Sequence, residues 1–283
     1  MLNGKKVIFV GDSNVYWGRC VDPKPRTILT QKERECDRGS FYQICKQNSM
    51  IPNVTNWTFG RHRLGNIFGG ICSVNAECKG VNHMEYITDP YYDYVFICPS
   101  ARAGGEKHIK EDINTVMEFF KKANPNVQFI IICCASIYGV NDDGTYRNGT
   151  ISYIKELSDS GIIVANWGKI VYDILNGNCE VPNAINEYVK STFVINDDKH
   201  PNLLAGYIAS LTAFCALTGK PATGQKYDYF YDQELKNIFD IPSYIDTYYD
   251  DKYTTNFDKV FESKSDMEGL HMLIDKYISE KAF

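Results

Sequence analysis

At 283 residues and 44% hydrophobic content, the chain is long enough for one large or two small domains with a sizeable core, and folding requires no disulfide staples. Its 30 Lys and Arg against 35 Asp and Glu leave a net charge of -5, which excludes an electrostatic footprint for nucleic acid or an anionic membrane surface. The 10 cysteines show no Cys-x-x-Cys spacing and follow no signal segment, so buried reduced thiols are expected in place of a secreted disulfide framework or a zinc site.

The first apolar run, residues 6–10, is too short for a signal-peptide core, and no later run is long enough to span a membrane. A soluble, cytoplasmic protein is expected, or a secreted one if a leader has been removed. Further runs rich in Val, Ile and Phe follow at residues 54–59, 94–98, 127–134 and 162–165. Such near-continuous runs predict strands of a parallel sheet, buried on both faces.

Between them, residues 106–122 carry Ile109, Ile113, Val116, Phe119 and Phe120 at helical spacing, with Asn124-Pro125-Asn126 as a stop. Residues 151–157 and 170–175 are shorter helical candidates, and residues 203–217 form an amphipathic candidate with Pro201 near its first turn. Strands alternating with helices predict a doubly wound α/β sheet with right-handed crossovers, whose sites lie at the carboxyl ends of the strands. Beyond Thr218-Gly219-Lys220-Pro221 the composition changes to a Tyr- and Asp-crowded stretch at 226–256, followed by a helix at 267–280. The expected organisation is an α/β domain over residues 1–222 and a C-terminal extension, 223–283, packed on it.

The first strand runs directly into Gly11-Asp12-Ser13-Asn14. A serine there stands at the carboxyl edge of the sheet, as a nucleophile requires, although Gly-Asp-Ser is also ordinary turn chemistry. Much later, Asn196-Asp197-Asp198-Lys199-His200-Pro201 precedes the helix at 203–217. A carboxylate three residues before a histidine can hold Nδ1 and leave Nε2 to accept a serine proton, which serine needs at neutral pH. The same loop also suits plain helix capping, and Asp198 competes with Asp197 for the orienting role.

Together, Gly11-Asp12-Ser13 after the first strand and Asp197-x-x-His200 before the last core helix resemble the SGNH, or GDSL-like, hydrolase superfamily across roughly residues 5–220. Residues Gly11 to Gly18 are similar to an extended Gly-Asp-Ser-Asn-Thr-Trp-Gly form with one residue added, and His200-Pro201-Asn202 with Gly206-Tyr207 resembles the closing segment of bacterial members. The resemblance implies a flavodoxin-like three-layer α/β/α sandwich around a five-stranded parallel sheet, and a Ser13, His200 and Asp197 triad acting on short acyl esters, acetyl esters of carbohydrates among them. It implies an oxyanion hole built from the N–H of Ser13, a glycine N–H after the second strand and an asparagine after the third. Gly60 fits the glycine, with Gly65 as the fallback and a simple turn as the alternative.

Where the family carries Gly-x-Asn-Asp, this chain reads Cys98-Pro99-Ser100-Ala101-Arg102, so Ser100 or Arg102 is the candidate substitute donor. Arg102 is equally suited to an anionic substrate group or a surface acid. Asn14, Tyr16, Trp17 and His62 are candidate substrate contacts at the mouth, the aromatics being equally suited to packing, and Arg61 and His62 to solvated loop positions. His83, His108 and His271 carry no motif and are expected to be structural. No metal or organic cofactor is required. The expected partner is a small-molecule or carbohydrate ester, with neither nucleic acid nor membrane, and the Tyr- and Asp-rich tail could shape the pocket or form a homo-oligomer surface. Two other readings stand beside the hydrolase: a non-catalytic SGNH-fold binding protein lacking a complete oxyanion hole, and a flavodoxin-like nucleotide or flavin binder.

Overall fold

The computed structural model describes residues 1–16, 18–21, 30–60, 62–71, 79–99, 108–138, 148–183, 201, 203–226, 267–281 and 283. Six strands, β1 (Lys6–Gly11), β2 (Glu35–Cys36), β3 (Asn53–Thr58), β4 (Tyr94–Ile97), β5 (Gln128–Ile132) and β6 (Ile163–Ala165), form one sheet in the order β2-β3-β1-β4-β5-β6. All pairings are parallel except β2 with β3. The five expected strands are therefore present, and the sheet is corrected to six by the two-residue antiparallel edge at Glu35–Cys36, too short to leave a hydrophobic run. The run at 127–134 yields a shorter strand, because Cys133 and Cys134 leave the ladder ahead of a 3-10 turn at Ala135–Tyr138.

The helices are α1 (Ser13–Tyr16), α2 (Gly39–Gln47), α3 (Leu64–Phe68), α4 (Ile109–Ala123), α5 (Asn148–Asp159), α6 (Trp167–Leu175), α7 (Leu203–Thr218) and α8 (Met267–Ser279). Phe9 and Phe96 stack at 4.4 Å and both meet Phe41 of α2 edge-on, which buries one face of the sheet under α2 and its neighbour α7. On the other face Tyr92 donates to Thr55 and meets Phe120 of α4, with Phe68 of α3 against Phe119 and Phe120. The result is the expected three-layer α/β/α sandwich. Asn124 ends α4 in extended conformation and donates its side-chain amide to Tyr92 O at 2.7 Å, so the stop signal also ties the helix to the sheet.

Helix α7 is not amphipathic in its surroundings: Leu204, Ala205, Tyr207, Ile208, Leu211, Ala213 and Phe214 are all buried. A helix apolar on every side must be covered on every side, and α2, α6 and α8 surround it. α8 is held by polar contacts as well. Tyr207 donates to His271 Nε2 at 2.7 Å, Tyr277 donates to Asp173 at 2.6 Å, and Asp275 accepts the N–H groups of Ala222 and Thr223. Among the described residues no helix is long and apolar enough to cross a membrane. The eight described cysteines are free thiols, seven of them buried.

Candidate active site

The parallel strands run in the order β3-β1-β4-β5-β6, so the strand order, laid down outward from β1 in both directions, reverses between β1 and β4. In doubly wound sheets that reversal opens a crevice at the carboxyl ends of the two strands, where ligands bind. Ser13 occupies this position, two residues beyond the last paired residue of β1, and is half-buried. Gly11 permits the approach: a Cβ there would stand 2.8 Å from the Cys98 Cβ at the end of β4. Asp12 is buried and its Oδ1 accepts both the backbone N–H and the side-chain amide of Asn14, at 2.9 and 2.8 Å. Asn14 thus helps to hold the turn that presents Ser13.

The rest of this loop is clamped from outside. The N–H groups of Ser40 and Phe41, in the first turn of α2, donate to the carbonyls of Arg19 and Cys20 at 2.8 and 3.1 Å, and the Ser40 hydroxyl also donates to Arg19 O. The orphan donors of that helix end are thereby satisfied by main chain instead of a side-chain cap. On the other side, Gly206 of α7 lies so close to Gly18 that a Cβ would stand 1.6 Å from the Gly18 carbonyl oxygen. Tyr16 is 4% exposed, in a packing position.

β3 ends level with β1, since Gly11 pairs with Thr58 and Phe59 N–H donates to Gly11 O at 3.0 Å. Gly60 follows, two residues past its paired end as Ser13 is past its own. Its carbonyl accepts from His62 Nδ1 at 2.7 Å, which assigns the proton to that nitrogen. His62 is only 9% exposed, which corrects its reading as a solvated loop residue: the bond to Gly60 and the rings of Phe59 and His83 draw it inward. Gly65 lies farther on, in α3, where its N–H donates to Asp112 of α4. Burial raises the Asp112 carboxyl, against the pull of Arg63, whose Nε and Nη2 both reach Asp112 Oδ1, at 3.0 and 2.6 Å.

Behind Gly60 lies a basic and aromatic cluster that the sequence does not announce. Arg34, 2% exposed, lies over the rings of Phe59 and Trp57 at 4.2 and 5.3 Å, and donates to Asn56 O. His83 stacks on Phe59 at 3.9 Å and, among the described residues, nothing bonds its buried Nε2. Burial pushes its imidazole down from 6.5 to about 4, with His62 and the Arg34 cation adding to the effect. Between these two values the unfolded chain binds a proton that the folded one refuses, so this contribution to stability is complete above pH 6.5 and declines as pH falls toward 4. The melting temperature is expected to drop over that window by less in His83→Phe than in wild type. Parallel melting profiles for the two proteins would contradict it.

Asp197, His200, Trp17, Arg61, Ser100 and Arg102 lie outside the described residues. The described neighbour of His200 is Pro201, which is buried and immediately precedes the segment that contains Gly206. The sequence reading missed Gly18 and Gly206 as a pair. A glycine inside an apolar helix is the available signal, since its conformational cost there of about 1 kcal/mol asks for a packing reason.

No protein-family model matches the chain, and no curated protein matches it in sequence. Solved structures do. A candidate GDSL-like lipase from Parabacteroides merdae aligns with a TM-score of 0.50 at 14% identity, over 78% of this chain and 99% of its own. A candidate SGNH hydrolase from Slackia heliotrinireducens gives 0.47 at 14%, over 77% and 100%. An acetylxylan esterase from Geobacillus stearothermophilus gives 0.47 at 14%, over 76% and 95%. The chain has the α/β fold of the GDSL-like lipase structure.

Proposed function

We propose that the chain is an SGNH-type serine hydrolase that cleaves short acyl esters, acetyl esters of carbohydrates in particular. The observation that carries this reading is the position of Ser13, at the carboxyl end of β1 where strand order reverses, in a loop packed against the helix that follows His200. Fold by itself does not choose chemistry. The chemistry rests on the pairing of Gly11-Asp12-Ser13 with Asp197-x-x-His200 in the sequence, and the acetyl and carbohydrate preference on the family resemblance.

In this mechanism His200 Nε2 takes the Ser13 proton as Oγ attacks the ester carbonyl, while Asp197 orients the imidazole and stabilises its cation. The tetrahedral oxyanion is held by the N–H groups of Ser13 and Gly60. Gly60 is preferred to Gly65 because the Gly65 N–H is directed at Asp112. Collapse breaks the bond to the alcohol, which leaves with the proton from His200. Water, deprotonated by the same histidine, then releases the carboxylic acid and returns Ser13. Ser100 or Arg102 supplies the remaining donor, and Asn14 and Trp17 border the substrate, while Tyr16, 4% exposed, packs beneath them.

The second reading, a binding protein on the same scaffold, draws on Cys98-Pro99-Ser100 in place of the expected asparagine segment. Incubation with a fluorophosphonate separates the two. One phosphonyl adduct on the peptide containing Ser13 is expected, because only an activated serine reacts. An unmodified Ser13 peptide would favour the binding protein.

A further inference from the structure

β6 is the last strand of the sheet, and its outer edge pairs with no further strand among the described residues. In a parallel ladder both main-chain groups of a residue point to one side, and successive residues alternate. Cys133 N–H donates to Ala165 O, so Ile163 and Ala165 turn toward β5, and Val164 between them turns its N–H and C=O to the open side. Neither group makes a hydrogen bond among the described residues. A donor and an acceptor thus stand side by side on half-buried main chain, where such groups call for a partner.

Beside that edge lies a cavity of about 290 Å³. Ser158 at the end of α5 closes it on one face of the sheet, and Thr212 and Ala216 of α7 close it on the other, so it wraps the edge on which Val164 opens. Ile162 and Ile278 add apolar wall, and Lys281 stands exposed at the rim with no ion pair among the described residues. Thr212, 2% exposed, keeps a hydroxyl without a hydrogen bond among the described residues, although Ser210 and Thr218 of the same helix bond back to Gly206 O and Phe214 O. The wall therefore holds polar groups that the fold leaves unanswered.

We propose that this cavity binds an N-acylated aliphatic amino acid. Val164 C=O accepts the acyl amide N–H, Val164 N–H donates to the carboxylate, and the second carboxylate oxygen meets Lys281, while the aliphatic side chain lies against Ile162 and Ile278. This is strand addition to a sheet edge reduced to a single residue. The volume sets that limit, since it lies at the small end of the range for ligand sites. The site is separate from Ser13: β6 stands three strands from β1, roughly 14 Å across the sheet, and the inference does not depend on the hydrolase reading.

The test is a titration of isotope-labelled protein with N-acetyl-L-leucine, followed by nuclear magnetic resonance at the Val164 amide. A dissociation constant of about 1 mM or below is expected, the range for a ligand of that size. N-acetyl-L-leucinamide, which lacks the carboxylate, and N-acetyl-N-methyl-L-leucine, which lacks the N–H, should each bind at least about 10-fold more weakly. Lys281→Glu should weaken binding to a similar extent, Ala216→Trp should abolish it by filling the cavity, and Ser13→Ala should bind as wild type does. A Val164 resonance that stays in place, analogues that bind as well as N-acetyl-L-leucine, or loss of binding in Ser13→Ala overturns the inference. So does tighter binding of acetyl-Ala-Ala-Leu, which would make the edge a peptide groove. If Ala216→Trp does not fold, the analogues decide, because they are measured on the wild-type protein.

Discussion

Ser13→Ala is expected to lower kcat for p-nitrophenyl acetate by about 10⁴-fold or more while leaving the melting temperature nearly unchanged. The loop is shaped by Asp12 accepting from Asn14, by the carbonyls of Arg19 and Cys20 accepting from α2, and by Gly18 against Gly206. Under the proposed mechanism, the change removes the atom that forms the acyl-enzyme.

His200→Ala should fall about as far as Ser13→Ala, since either change removes the nucleophile and base as a unit, and the double variant should fall no further. Asp197→Ala should fall about 10–100-fold less, because it orients and stabilises without exchanging protons with substrate. The measurement is kcat for the four proteins, with circular dichroism melts as the control for folding. Ser13→Ala turning over at the wild-type rate would remove Ser13 from the mechanism; a double variant far below both single ones would show that Ser13 and His200 act separately.

Gly206→Ala carries the largest expected effect on stability. Its Cβ would lie 1.6 Å from the Gly18 oxygen, 2.2 Å from the Gly18 carbon and 2.6 Å from the Gly18 Cα. Carbon atoms in contact need about 3.5 Å, and every atom in the way is main chain, so no rotamer change relieves the clash. Either α7 or the Ser13 loop must shift as a body. A cost of about 3 kcal/mol or more follows from overpacking a rigid contact, read as a lowered urea midpoint.

Under the proposed mechanism, any protein that remains folded should also lose activity, because the shift separates the Ser13 loop from the helix after His200, and misplacement of about 1 Å is worth about 10²-fold. An unfolding free energy within about 0.5 kcal/mol of wild type would mean that the two backbones are not in contact.

Particular residues show why some of this was legible in the sequence. The strands at 6–11 and 94–97 announce themselves because burial on both faces leaves no polar position to interrupt the run. The C-terminal helix was legible at 267–280 from its own apolar spacing, and Ser13 from the turn residues that end β1. α2 was not legible: its cap comes from the carbonyls of Arg19 and Cys20, some 20 residues away, and Arg38 at the capping position makes no side-chain bond. α7 read as amphipathic because small and hydroxylated residues dilute its apolar pattern. Ser210 bonds back to Gly206 O, however, and can be buried without a polar surround.

The sequence by itself thus determined the alternation of strands and helices, the layer architecture, and the placement of Ser13 at the carboxyl edge of the sheet. Those follow from hydrophobic runs and turn residues, which act over a few positions. Only the tertiary structure decided that Gly18 and Gly206 touch, that a two-residue edge strand completes the sheet, and that His62 turns inward onto Gly60. The first two join segments distant in the chain. The last depends on Phe59 and His83 supplying an apolar wall, and distance and burial of that kind exist only once the chain has folded.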